Sequence, residues 1–87
     1  MDQDAIHSFR LKLDQHYRWP DLYMFKFIVP SHKTDEVTAL FPMHANTQKE
    51  SKQGKYTSIT IQMMMPSSDA VIEVYIKASA IEGLIAL

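Results

Sequence analysis

An α+β fold, with helices over an antiparallel sheet, is what this chain predicts, and three observations lead there. Residues 22–29 and 56–65 alternate side chains with the period of two that marks strands. Residues 4–17, 31–41 and 67–80 place apolar side chains at helical spacing around them. The length of 87 residues allows one small domain, and its 46% hydrophobic and 22% charged residues are globular rather than disordered composition.

The first helix is predicted over Asp4 to Tyr17, where Ile6, Phe9, Leu13 and Tyr17 share a face. Asp2 and Asp4 near its start and Arg10, Lys12 and Arg18 later suit the helix dipole. Pro20 ends it by forcing Trp19 out of helical geometry. Leu22 to Val29 follows as the strongest strand, with Tyr23, Phe25, Phe27 and Val29 on one face. Leu22, Met24, Lys26 and Ile28 form the other face, and so much apolar character on both sides predicts a central position.

Pro30-Ser31 ends that strand and opens a short helix, with Ser31 as its expected cap and Val37, Leu40 and Phe41 as its apolar stripe. Residues 45–52 are polar and fit only an edge strand, where lysines discourage stray pairing. Gln53-Gly54 predicts a tight turn into the strand Tyr56 to Met65. Pro66-Ser67-Ser68-Asp69 starts a last helix running to about Ala80, with Val71, Val74, Tyr75, Ala78 and Ile81 inward and Ile72 and Ile76 widening the stripe. Gly83 breaks it, and Leu84 to Leu87 form a terminal strand. The order is one extra helix and then β-α-β-β-α-β, the ferredoxin-like split arrangement with both core helices on one face. This divides the chain into an N-terminal helical extension, residues 1–18, and a ferredoxin-like domain, residues 19–87.

Three segments carry a resemblance: Phe25-Lys26-Phe27-Ile28, Ser51-Lys52-Gln53-Gly54-Lys55-Tyr56-Thr57-Ser58-Ile59-Thr60, and Ile81-Glu82-Gly83-Leu84-Ile85-Ala86-Leu87. With them the chain resembles the YbeD-like family of small uncharacterised bacterial proteins over residues 19–87. The resemblance implies a ferredoxin-like fold similar to ACT regulatory domains, and no established activity. The chain departs from that pattern in a shorter first core helix, ending by Phe41-Pro42, and in the added N-terminal segment.

Composition removes several functions. There is no cysteine, so thiolate nucleophiles, disulfides and Cys-based zinc sites are excluded. Nine basic against ten acidic residues give a net charge of −1, which argues against a dedicated nucleic-acid binder. No apolar run approaches the roughly 20 residues of a membrane span, and the acidic N-terminus is unlike a signal peptide, so a cytoplasmic protein is expected. His7, His16, His32 and His44 lack helical zinc spacing, and two glycines cannot make a phosphate loop. The expectation is therefore no metal, no cofactor, no catalytic residue and no enzyme. Lys49, Lys52 and Lys55 around Gly54 read as a solvated edge rather than an RNA surface, because the open sheet face lacks stacking aromatics.

Two functions remain. The first is a regulatory or adaptor module acting through protein contacts, with an unknown protein partner or as a homodimer. Its expected surface is the second sheet face, Leu22, Met24, Lys26, Ile28, Thr60 and Met64, with the N-terminal helix folding onto that face in its own subunit or a neighbour's. Lys26 there reads as a snorkelling side chain more readily than as an anion contact. The alternative is an ACT-like small-molecule sensor binding a metabolite near Pro30, Ser31 and His32 at a subunit interface.

Overall fold

The structure, a computed structural model, describes residues 2–87. Its elements are α1 (Gln3–His16), β1 (Asp21–Pro30), α2 (Thr34–Thr38, entered through a 3-10 turn at Ser31–Lys33), β2 (Thr47–Glu50), β3 (Tyr56–Met65), α3 (Ser68–Ala78) and β4 (Ile85–Ala86). The sheet order is β2-β3-β1-β4, with every neighbouring pair antiparallel. That is the ferredoxin-like topology the element order predicts, with one extra helix in front.

β1 and β3 pair along their full length, from Asp21 opposite Met65 to Pro30 opposite Tyr56. This register puts Phe25 beside Ile61 and Phe27 beside Ile59, so the strongest apolar side chains of both strands share one face. Phe25, Phe27, Val29, Ile59, Val37 and Val71 are completely buried there. Phe41, just beyond α2, meets the ring of Phe25 at 5.3 Å and that of Phe27 at 6.2 Å. Both core helices therefore cover the face predicted for them.

Local chemistry sets the ends of the elements. Asp2 caps α1 by accepting the Ala5 N–H at 2.7 Å, and Ser67 caps α3 by accepting the Ala70 N–H at 3.1 Å. Gly54 takes the positive φ of 73° expected of it, but the turn is wider than Gln53-Gly54 alone. The Gly54 N–H reaches Ser51 O at 2.9 Å and the Ser51 N–H reaches Tyr56 O at 2.7 Å, closing a longer loop. β2 keeps four residues of the predicted eight, all exposed, because nothing apolar fastens its ends.

Three expectations need correction. Ser31 caps no helix: its hydroxyl meets the Thr57 hydroxyl at 2.8 Å, tying the end of β1 to β3. Ile76 is exposed, because it lies about 140° around the helix from Val71, away from the sheet. The third concerns α1, which lies on the helix side of the sheet and not on the second face. Leu13 is buried in the common core, Phe9 meets Tyr75 edge-on at 5.4 Å, and Tyr17 meets Tyr23 at 5.2 Å. The reason is local. Asp21 accepts the Arg18 N–H at 3.2 Å and Asp14 accepts the Trp19 indole N–H at 2.9 Å, turning the chain back toward Tyr23. Arg10 then pairs with Asp69 of α3 at 2.7 Å.

Two measurements check this account. Leu13→Ala is expected to cost about 2–5 kcal/mol in urea unfolding, the range for a buried leucine; a helix loose in solution would lose almost nothing. Gly83 has φ of 82°, and an added Cβ would stand 2.9 Å from Pro30 Cγ. At Gly54 the nearest atom is the Glu50 carboxylate at 3.8 Å. Gly83→Ala is expected to destabilise more than Gly54→Ala, which carries only the left-handed backbone cost of about 1–2 kcal/mol.

Candidate functional site

With all three helices on one side, the opposite face of the sheet is left bare. Strand pairing builds it: Leu22 lies opposite Met64, Met24 opposite Gln62, Lys26 opposite Thr60, and Ile28 opposite both Ser58 and Ile85. Leu22, Met24 and Met64 are each about half exposed (48%, 52% and 58%), while Ile28 and Thr60 are half-buried. Lys26 stands among them with its side chain in solvent. The sequence reading of this face omitted Ile85, which widens it at the β4 edge; the alternation of the terminal strand held that signal. Thr47 and Lys49 of β2 complete the face on the other side. Among the described residues, the only charged strand residues on it are lysines, Lys26 and Lys49.

Pro30, Ser31 and His32 come together elsewhere, at the end of β1. With Gly54, Lys55 and Tyr56 they line a shallow cleft of about 410 Å³. The Ser31 N–H donates to Lys55 O at 2.9 Å, so the hairpin loop is what closes its far wall. His32 is exposed, and Ser31 is engaged with Thr57.

A third feature lies where β4 is short. Phe9 of α1, Tyr23 of β1, Tyr75 of α3 and the terminal residues Leu84, Ala86 and Leu87 border a mainly apolar groove of about 500 Å³. The Tyr23 and Tyr75 hydroxyls meet at 2.9 Å in its wall. Two phenols bring two protons to a single mutual hydrogen bond, so one proton stays available to an acceptor. Pattern reading missed this site because Tyr23 and Tyr75 look like ordinary core residues; their polar tips are the signal.

Both phenols are held above the ordinary value of 10.0. For Tyr23, burial outweighs the lowering contributed by Tyr75. For Tyr75, burial is the larger cause and its hydrogen bond to Tyr23 adds to it. Nothing else points to chemistry. His7, His16, His32 and His44 are all exposed, and among the described residues no group of three or more acidic or histidine side chains could hold a metal ion. Lys52 and Lys55 are exposed on the hairpin loop, with Lys49 on β2 beside it. Among the described residues no helix is long and apolar enough to cross a membrane.

Comparison with known proteins finds relatives of unassigned function. A family described as "Protein of unknown function (DUF493)" matches residues 14–87. A UPF0250 protein of Shewanella putrefaciens (strain CN-32) is 35% identical over 80 residues, covering 84% of this chain and 91% of the relative. UPF0250 proteins of Shewanella sp. (strain ANA-3) and Shewanella amazonensis are 32% and 33% identical, over 80 and 78 residues, covering 84% and 82% of this chain and 91% and 89% of the relative. No solved structure matches.

The phenol pair makes stability depend on alkaline pH. The folded state keeps these hydroxyls protonated where the unfolded chain would ionise them, so their contribution is complete below about pH 10 and falls as pH rises beyond it. The urea midpoint of the protein is expected to drop between pH 9 and pH 11. In Tyr75→Phe that drop should be smaller; an equal drop would place its cause outside the pair.

Proposed function

The chain belongs to the DUF493, or UPF0250, family, the YbeD-like proteins of unknown function, and we propose from its surfaces that it is a non-enzymatic regulatory or adaptor module acting through protein contacts. The observation that carries this is the uncovered sheet face, Leu22, Met24, Lys26, Ile28, Thr60 and Met64, extended by Ile85. A sheet with helices on one side ordinarily meets water with polar side chains on the other. Here four large apolar residues are half exposed together, the character of an interaction patch. In the cleft that gathers Ser31, His32 and Lys55, the Ser31 hydroxyl meets the Thr57 hydroxyl at 2.8 Å rather than His32, which supports a binding role over catalysis. The partner is another protein or a second copy of this chain, working in the cytoplasm.

The test is a photo-crosslinking amino acid placed at Met24 or Met64, with Glu73 on the exposed side of α3 as control, in cells that make the protein. A recurrent adduct of defined mass is expected from Met24 and Met64 and not from Glu73. The same adducts from all three positions would overturn this reading. An adduct of twice the chain's mass would identify the homodimer.

The cleft at Pro30, Ser31 and His32 favours a second reading, an ACT-like sensor. Lys55 borders it and suits an anionic metabolite. Thermal-shift screening against amino acids decides: a shift lost in Lys55→Ala would support the sensor, and no shift with any of them would remove it.

A further inference from the structure

The uncovered face of the sheet carries a charge at its centre. Lys26 is the middle residue of β1 on that face, with Leu22 and Met24 before it and Ile28 and Pro30 after it. Its cross-strand neighbour is Thr60, whose own neighbour on the far side is Thr47. Apolar side chains flank it at both ends, Leu22, Met24 and Met64 on one side and Ile28 and Ile85 on the other. Among the described residues Lys26 forms no ion pair.

The carboxylates around the face are engaged or turned elsewhere. Asp21 stands opposite Met65, on the helix-side alternation, five residues or about 17 Å along the strand from Lys26. Its oxygens accept the Arg18 N–H at 3.2 Å and the Leu22 N–H at 2.8 Å. Glu50 stands opposite Thr57, so it alternates away from the face, but it borders the same hollow as Lys49 and offsets that lysine at the β2 edge. Glu82 lies in the turn before β4, next to Gly83, which abuts Pro30 at the far end of β1. Lys26 is therefore the uncompensated charge of the face, set in its apolar middle.

We propose that this face binds an amphipathic helix of a partner protein, whose apolar stripe carries one acidic side chain near its middle to meet Lys26. The partner is that of the preceding section, and the assignment rests on that reading of the domain as a contact module. Helices are the elements that ordinarily cover a sheet face, and α1, α2 and α3 all lie on the other side. The dimensions agree. The ten residues of β1 span about 30 Å, the length of a helix of about 20 residues. A helix about 10 Å wide covers two strands, here β1 and β3. Lys26 sets the partner's register, because a purely apolar stripe laid over it would leave its ammonium group covered and unpaired.

A second copy fits less well. Two copies stacked face to face about a two-fold axis through the centre would turn Lys26 onto Lys26. Moving the axis to the Leu22 and Met64 end leaves Ile28 and Ile85 uncovered and engages a handful of side chains, where a stable interface uses roughly 20–30 residues a side.

The test uses the full chain and a phage-displayed library of helical peptides of about 20 residues with one face randomised. Peptides with an apolar stripe and a Glu or Asp near its middle are expected to be enriched, and in NMR titration to shift the amides of Met24, Lys26, Thr60 and Gln62 most. Lys26→Glu should weaken their binding about tenfold or more, and Lys26→Arg should retain it. Selection against Lys26→Glu should instead enrich Lys or Arg at the middle position, a reversal that a misfolded variant would not give. Lys77→Glu, an equal change of net charge on α3, should leave binding unchanged. Absence of enrichment, equal loss in Lys77→Glu, or concentration-dependent self-association broken by Met64→Lys would overturn the proposal. Apolar peptides that shift the same amides and are indifferent to Lys26→Glu would overturn the acidic helix while leaving the contact reading standing.

Discussion

Everything in this domain hangs on the aromatic face of β1. Phe25 and Phe27 have no exposed surface, and their rings touch Phe41 beyond α2 and Tyr75 on α3. Tyr23 continues the row and receives Tyr17 at the end of α1. One strand thus collects one segment from each helical region. Each ring buried there is worth roughly 1.5–3 kcal/mol, a large share of the stability of so small a domain. The ladder with β3 holds this row flat against Ile59 and Ile61, and β2, β4 and the loops are accessories to it.

The price of that arrangement is a one-sided sheet. With α1 drawn to the end of the aromatic row, no element is left for Leu22, Met24 and Met64. The same placement makes the groove, because α1 and α3 converge over Tyr23 and Tyr75 where β4 has already ended.

Much of this was legible in the amino-acid order. Period-two alternation located β1 and β3 within a residue, and the capping serine and acid located the start of α3. The central place of β1 followed from apolar residues on both its faces. What the pattern could not carry was the side on which α1 docks. Ile6, Phe9, Leu13 and Tyr17 announce a sticky stripe, but they suit either face of β1; the choice is made by Asp14, Arg18, Trp19 and Asp21 in the turn. Ser31 misled for a similar reason, since a hydroxyl after a strand caps a helix or bonds a neighbouring strand according to where Thr57 lies. The phenol pair was hidden because its partners are far apart in sequence. Alternation alone names the residues of the second face, but it places α1 over them where the structure leaves them bare, and Ile85 escapes because a two-residue strand offers little alternation to read.

The brevity of β4 also shapes the timing of exchange with solvent. Along β1, the amides of Phe25 and Phe27 face the long ladder with β3, while that of Ile28 faces the two residues of β4. Fraying a two-residue strand requires no loss of the aromatic row. Neighbouring amides on one strand therefore belong to different opening events: Phe25 and Phe27 are released only when the whole domain unfolds, and Ile28 whenever the C-terminal strand lifts. A single strand carries both the most and the least protected hydrogens of the sheet's centre, and the boundary between them alternates residue by residue.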